Sequence, residues 1–262
     1  MILFRHEVKQ NGKSLLIWAV CIGLISFGCL LLFENLADTI GQMAKAYASM
    51  GKFSEALGMD RLNISTIEGF YATEIALIHA IGGAMFAAMT GASLLSKEEE
   101  GHTAEFLHAL PLGRSRIVRQ KYTALAALVF LFQIITVLAE LAGFAAAGEM
   151  PDKNAYAWYH GAQFLMQLEV GSVCFLISAA CKRKQIGTAL GLALVLYFAD
   201  MICRILPGTE SLKYVTPYYF SNATDIFLAG KMDGILAGIG LAVTAASTAA
   251  ACFVYKNRDL AA

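Results

Sequence analysis

The chain has 262 residues, of which 58% are apolar and only 15% are charged, and its formal net charge is zero. Soluble domains are usually about half apolar and about a quarter charged, so this composition indicates a protein that lies in a bilayer. The balanced charge provides no electrostatic footprint for DNA or RNA, which excludes nucleic acid as a partner.

Six stretches contain the run of about 20 apolar residues that one helical crossing of a membrane requires. We therefore predict an all-α membrane protein with an interfacial segment (1–13), one domain of six transmembrane helices (14–256) and a short tail (257–262). The first apolar run is too long for a signal peptide and lacks a convincing cleavage site, so it is predicted to be retained. The predicted spans are residues 14–33, 72–96, 123–148, 161–181, 186–206 and 234–255.

Basic residues predict the orientation, because they are enriched in short cytoplasmic segments of membrane proteins. With the N-terminus inside, the cytoplasmic pieces hold most of the 20 Lys and Arg residues. Both termini and the segment between the second and third spans are then predicted to face the cytoplasm. The basic residues on that side are Arg5, Lys9, Lys13, Lys97, Arg114, Arg116, Arg119, Lys121, Lys182, Arg183, Lys184, Lys256 and Arg258.

Residues 97–122, hereafter the charged segment, form a polar island between two apolar spans. Thr103 is placed to cap a short helix, Glu105 lies in its first turn, and Pro111 with Gly113 ends it. Helical spacing puts one polar and three apolar residues on a shared face. The alternative is an ordinary loop whose charges are simply solvated. The members of that face are Thr103, Phe106, Leu107 and Leu110, and the flanking charged and turn residues are Glu98, Glu99, Glu100, Gly101, Arg114 and Arg116.

Four ionisable residues fall within the later spans, where a charge is costly and rarely lacks a partner. Asp200 and Arg204 are four positions apart and are predicted to pair on one helix face. Glu140 and Glu169 are candidates for a polar route or an interface between protomers, with a purely structural role as the alternative. An intramembrane enzyme using Glu169, Asp200 or His79 would lack a nucleophile–base pair and a metal-ligand spacing. No metal site is predicted.

Small residues predict where helices approach closely. Glycines 82, 83 and 91 mark a packing face of the second span, and the pairs 187/191 and 234/238 match the small-xxx-small pattern. Before the second span, Ser65 or Thr66 is predicted to cap the helix, with Glu68 in its first turn.

The charged segment resembles the cytoplasmic segment of ATP-binding-cassette (ABC) exporter permeases of the bacterial multidrug, bacitracin and antibiotic-peptide type. That family's pattern reads approximately E-x-x-x-G-T-x-E-x-L-x-x-x-P-x-S-R-x-x-x-x-x-K. The chain departs from it at His102, which lies between Gly101 and Thr103, and at Gly113-Arg114. The stretch 211–231 and the closing Asn257-Arg258-Asp259-Leu260 are also similar to the family's last outer loop and tail.

The resemblance implies the permease subunit of an exporter in the cytoplasmic membrane of a prokaryote, possessing no nucleotide-binding site of its own and involved in antibiotic-peptide resistance. Two copies of a separate ATPase would bind the charged segment through its coupling helix and would carry the ATP and magnesium. A second permease subunit, identical or related, would complete the transporter, and the 206–232 stretch would form short re-entrant helices at the exit. A different function class remains open, in which the same fold serves as a non-transporting sensor or immunity partner.

Overall fold

The computed structural model describes residues 2–51, 54, 61–109 and 111–258, and the helices in this part of the chain account for most of it. Two short 3-10 helices, Glu34–Leu36 and Glu210–Tyr214, accompany them. The α-helices are, in chain order, α1 (Ile2–Leu31), α2 (Ala37–Ser49), α3 (Ile67–Leu94), α4 (Lys97–Glu100), α5 (Ala104–Ala109), α6 (Arg114–Ala146), α7 (Lys153–Ala180), α8 (Ile186–Ile205), α9 (Ala223–Ala229) and α10 (Gly234–Asn257).

Six of these helices are long and apolar enough to cross a membrane, namely α1, α3, α6, α7, α8 and α10. Each corresponds to one predicted span, so the prediction of six membrane-spanning helices is confirmed. Three of them begin well before their predicted apolar runs. Helix α1 starts at Ile2, so the predicted interfacial segment continues directly into the span. Helix α6 starts at Arg114 instead of residue 123, and α7 starts at Lys153 instead of residue 161. Lys, Arg and Gln are good helix formers, and hydropathy reports where a helix is apolar, not where it begins.

The bundle is built from two closely packed helix pairs, α1 with α6 and α3 with α7, and α10 then packs on α7 while α8 packs on α3. Glycines permit the close contacts within each pair. A Cβ added at Gly91 of α3 would lie 2.3 Å from the carbonyl oxygen of Gly171 on α7, and one added at Gly143 of α6 would lie 2.9 Å from Leu30 of α1. The two pairs are therefore held at backbone-to-backbone distances that larger residues would prevent.

The predicted small-residue motifs have different outcomes. The face formed by glycines 82, 83 and 91 does pack against neighbouring helices. By contrast, a Cβ added at any of glycines 187, 191, 234 or 238 would meet nothing within 4 Å. The spacing of a small-xxx-small motif does not say which way the motif faces, and these two pairs approach no other described helix of the same chain.

Helix α3 begins with a capped turn and then widens. The Thr66 hydroxyl accepts a hydrogen bond from the backbone N–H of Gly69 at 3.1 Å, which confirms one of the two predicted caps. The stretch Tyr71–Ile75 is a π-helical turn, after which α3 continues as a regular α-helix. Such turns accommodate one extra residue and are frequent at functional sites.

The stretch between α8 and α10 folds back onto the bundle. The side chains of Tyr218, Phe220 and Ile226 are buried in the same core as helices α3 and α7. Asn222 caps α9 by accepting from the N–H of Asp225 at 3.1 Å, and Gly230, with φ +66°, ends it. Two short helices, the 3-10 helix Glu210–Tyr214 and α9, lie in the stretch for which the resemblance implies short re-entrant helices. Their position relative to a membrane stays a prediction.

Candidate functional site

The charged segment lies at one end of the bundle, called here the near end, and its three successive acids contact three different parts of the chain. Glu98 forms an ion pair with Lys121 of α6, and Glu99 forms one with Arg258, just after α10. A carboxylate oxygen of Glu100 accepts a hydrogen bond from the backbone N–H of Lys184, before α8, at 2.8 Å. Helix α4 is thereby connected to the ends of three spans.

Lys121 is the centre of a buried ion network that also includes the first helix. Its side chain has no exposed surface, and its ammonium group lies 3.3 Å from Glu7 as well as pairing with Glu98. Glu7, also fully buried, forms a second ion pair with Lys97. Lys121 further donates to the carbonyl oxygen of Leu94, at the end of α3. Two cations and two anions therefore balance one another around the fully buried Glu7 and Lys121, which is the condition under which buried charges are tolerated.

Arg114 connects the start of α6 to the end of α10. Its guanidinium group donates to the carbonyl oxygens of Lys256 at 3.0 Å and Arg258 at 2.7 Å. Backbone carbonyls at a helix C-terminus lack intrahelical donors and carry partial negative charge, so a cation is favourable there. Arg116, which sequence analysis placed with Arg114, is exposed.

The short helix α5 does not bury the whole face that helical spacing predicted. Leu107 is buried against the near-end core, but Phe106 is 78% exposed. The Thr103 hydroxyl donates to the carbonyl oxygen of Glu98 at 3.3 Å, while Glu105 is exposed and Leu110 lies outside the described residues. Six residues make fewer than two helical turns, and over that length a residue directly beside the buried position points away from the core. The non-helical stretch 111–113 then precedes α6, with Leu112 packed on the near-end core.

A second polar assembly lies in the other half of the bundle, remote from the charged segment. Glu140 of α6 is fully buried, and one of its oxygens is 2.8 Å from Nδ1 of His79 on α3. The other oxygen lies 3.2 Å from Nε2 of His160 on α7. These three residues are called the histidine–glutamate cluster.

Aromatic and amide side chains surround this cluster. The hydroxyl groups of Tyr71 and Tyr156 donate to the same oxygen of Glu140, at 2.7 and 3.1 Å. The remaining ring nitrogen of His79, Nε2, is 2.8 Å from the side-chain oxygen of Gln133. The Glu140 carboxylate is therefore saturated with polar partners although it is shielded from solvent.

The other intramembrane candidates have different surroundings. Glu169 is 6% exposed and packs beside Gly240 of α10, and within the described part of the chain one of its oxygens has no hydrogen-bond partner. The predicted pair of Asp200 and Arg204 is present, with the guanidinium Nε at 3.1 Å from the carboxylate. Arg204 also pairs with Asp225 at 2.8 Å. The structure thus separates Glu140, Glu169 and the Asp200–Arg204 pair into three sites.

Several functional candidates escaped the sequence analysis. Glu7 was hidden in a basic, amphipathic N-terminus, and Lys121 looked like one cation of a solvated run. His160 gave no signal of its own, because the spacing of its partners is not local. One indication was available for Lys121 and His160, since each ionisable residue stands at the start of an apolar run.

Six apolar helices packed into one bundle, with a polar surface helix at one end, define a multi-pass helical membrane protein. The model of the ABC-2 family transporter proteins matches residues 1–260, so the chain belongs to that family. Among curated proteins the comparison finds no match. Family membership confirms an ABC permease, a class that has no nucleotide-binding site of its own and that generally works with an ABC ATPase.

Proposed function

We propose that the chain is the permease subunit of an ABC exporter and that a separate ATPase drives it through the charged segment. By this proposal the near end, with both termini, faces the cytoplasm of a prokaryotic cell. Two ATPase subunits carrying ATP and magnesium act on two permease subunits, identical or related. The multidrug or antibiotic-peptide type of cargo rests on the sequence resemblance alone.

The main support for the proposal is that neighbouring residues of the charged segment face opposite directions, some toward the bundle and one away from it. Leu107 and the three acids of α4 connect this segment to the bundle, whereas Phe106 projects away from it with 78% of its surface exposed. A large exposed aromatic on a rigidly anchored turn is a typical anchor for a protein interface, because it fills a pocket at low entropic cost. Phe106 is therefore the proposed contact with the ATPase.

The ion pairs supply the route by which motion would reach the spans. A displacement of α4 and α5 acts on α6 through Lys121, on α1 through Glu7, and on the end of α10 through Arg258. Packed helices move as rigid bodies between discrete arrangements instead of deforming continuously. The charged segment would accordingly act on the whole bundle and not on a single helix.

The proposal is tested by co-expressing the chain with the ATPase encoded beside it and comparing Phe106→Ala with the unmodified chain. We expect Phe106→Ala to weaken co-purification by about tenfold or more, as interface hot spots do, and to lower stimulation of ATP hydrolysis by the permease. Phe253→Ala is the matched control, because Phe253 is 69% exposed but lies on the span α10.

Equal assembly and equal stimulation in Phe106→Ala, Phe253→Ala and the unmodified chain would show that α5 is not the ATPase contact. Reconstitution of the assembled complex in vesicles then distinguishes the two function classes. ATP-dependent transport supports the exporter, whereas peptide binding without any transport supports a sensor or immunity partner.

A further inference from the structure

The histidine–glutamate cluster contains a donor set that the transporter mechanism does not use. Nitrogen atoms of His79 and His160 and an oxygen of Glu140 lie within 4.8 Å of one another. They come from three different helices, α3, α6 and α7. The His79 side chain and Glu140 have no exposed surface, and the His160 side chain is only 11% exposed.

The hydrogen bonds around His79 favour a cation in the cluster. The side-chain oxygen of Gln133 lies 2.8 Å from Nε2 of His79, and a carboxylate oxygen of Glu140 lies 2.8 Å from Nδ1. Both ring nitrogens therefore face oxygen acceptors, whereas a neutral imidazole has a single N–H to donate. In a site closed to water, the second contact is satisfied either by another proton on the ring or by a bound cation.

We propose that this charge is a transition-metal ion of the zinc type, bound by His79, Glu140 and His160. Two imidazoles and a carboxylate favour late first-row metals and disfavour magnesium and calcium, which prefer oxygen ligands. Zinc takes its nitrogen and oxygen ligands at about 2.0–2.2 Å in a tetrahedral arrangement, which places neighbouring donors about 3.3 Å apart. His79 lies 2.8 Å from one oxygen of Glu140 and His160 lies 3.2 Å from the other. The three donor atoms lie within 4.8 Å of one another, so some of them must approach by up to about 1.5 Å to reach the tetrahedral spacing.

The residues around the donors have the roles that outer partners of metal sites have. Histidine ligands usually donate their second ring N–H to an oxygen, as His79 does to Gln133, and ligating carboxylates are usually hydrogen-bonded, as Glu140 is by Tyr156. The Tyr71 hydroxyl lies 2.7 Å from Glu140 and 3.2 Å from Nε2 of His160, so it is a further polar partner of the donor set.

A metal at this position would join the two helix pairs of the bundle. Glu140 belongs to the α1–α6 pair, whereas His79 and His160 belong to the α3–α7 pair. The proposed role is therefore to fix how the two pairs are oriented in the half of the bundle remote from the charged segment. This inference does not depend on which molecule the permease transports, nor on the ATPase contact.

The test uses the full chain, purified in detergent without a polyhistidine tag, treated with a chelator and then titrated with Zn²⁺ against a chromophoric competitor. We expect one ion per chain, with nitrogen and oxygen neighbours at about 2.0–2.1 Å in X-ray absorption spectra. His160→Ala should abolish this binding, and Tyr156→Phe should weaken it by about tenfold or more. His102→Ala, which removes an exposed histidine of the charged segment, should bind as the unmodified chain does.

The X-ray absorption spectra are measured on the unmodified chain, so they test for the metal site even if a variant misfolds. A shell of water oxygens only, no retained Zn²⁺, or equal binding by His160→Ala and His102→Ala would overturn the metal site. The cluster would then be a buried ion pair with a protonated histidine.

Discussion

Replacing Lys121 by methionine tests the buried ion network at the near end. The substitution keeps the length and much of the volume of the side chain but removes the cation that faces Glu98 and Glu7. Glu98 then has no cation, and Glu7, which has no exposed surface, keeps only its ion pair with Lys97. The ammonium bond to the carbonyl of Leu94 is also lost.

The size of the effect follows from the burial. Removing one partner of a buried ion pair costs about 3–5 kcal/mol, because an uncompensated charge is left behind. Domains of this size lose about 2–4 °C in melting temperature per kcal/mol, so Lys121→Met is expected to melt roughly 6–20 °C lower. Lys9→Met, at an exposed position of the same helix as Glu7, should change the melting temperature by only a degree or two, about 0.5 kcal/mol.

The assay is thermal unfolding of the purified chain in detergent, followed by intrinsic fluorescence and by the fraction that remains monodisperse after heating. Adding Glu98→Gln to Lys121→Met removes one of the stranded carboxylates, and it should recover part of the lost stability. The network does not stabilise the near end if Lys121→Met has the same melting temperature as the unmodified chain. The same conclusion follows if the loss of stability in the double variant equals the sum of the losses in the two single variants.

Two further substitutions test other parts of the bundle, each against a matched control. Arg204→Met leaves the buried Asp200 without its cation and should lower the free energy of unfolding by about 3 kcal/mol. Arg61→Ala, at a side chain that is 41% exposed, should lower it by less than about 1 kcal/mol. Similar melting temperatures for the two variants would contradict the assigned burial. Gly91→Ala places a methyl group 2.3 Å from a carbonyl oxygen of α7 and should lower the free energy of unfolding by about 1–3 kcal/mol. Gly191→Ala meets no neighbour, so it should be neutral or should raise that free energy by up to about 1 kcal/mol. Chemical denaturation in mixed micelles compares the two variants.

The sequence was sufficient for features that depend on nearby residues. The six spans follow from local hydropathy, and the pair of Asp200 and Arg204 follows from a four-residue spacing on one helix. The cap at Thr66 is equally local. The resemblance of the charged segment also led to an ABC permease, which the family match confirms.

Features that depend on how whole helices are rotated were not predictable. His79 and Glu140 are 61 residues apart and meet only because α3 and α6 turn particular faces toward each other. Glu7 and Lys121 are separated by most of the first half of the chain. The orientation of Phe106 away from the core depends on how α5 sits on the bundle. A single sequence does not specify how each helix is rotated about its own axis.

The π-helical turn at Tyr71–Ile75 has a consequence for how the length of the second span could have changed during evolution. Tyr71 and His79 are eight positions apart, which in a regular helix would set their side chains about 80° apart around the axis. The wide turn takes up one residue, so the two side chains differ by only about 20°. Deleting one residue between Tyr71 and Ala76 would restore a regular helix and still leave Tyr71 facing Glu140. A deletion nearer to His79 would instead leave the wide turn in place and rotate Tyr71 away from Glu140. The span is therefore tolerant of a change in length at this one turn.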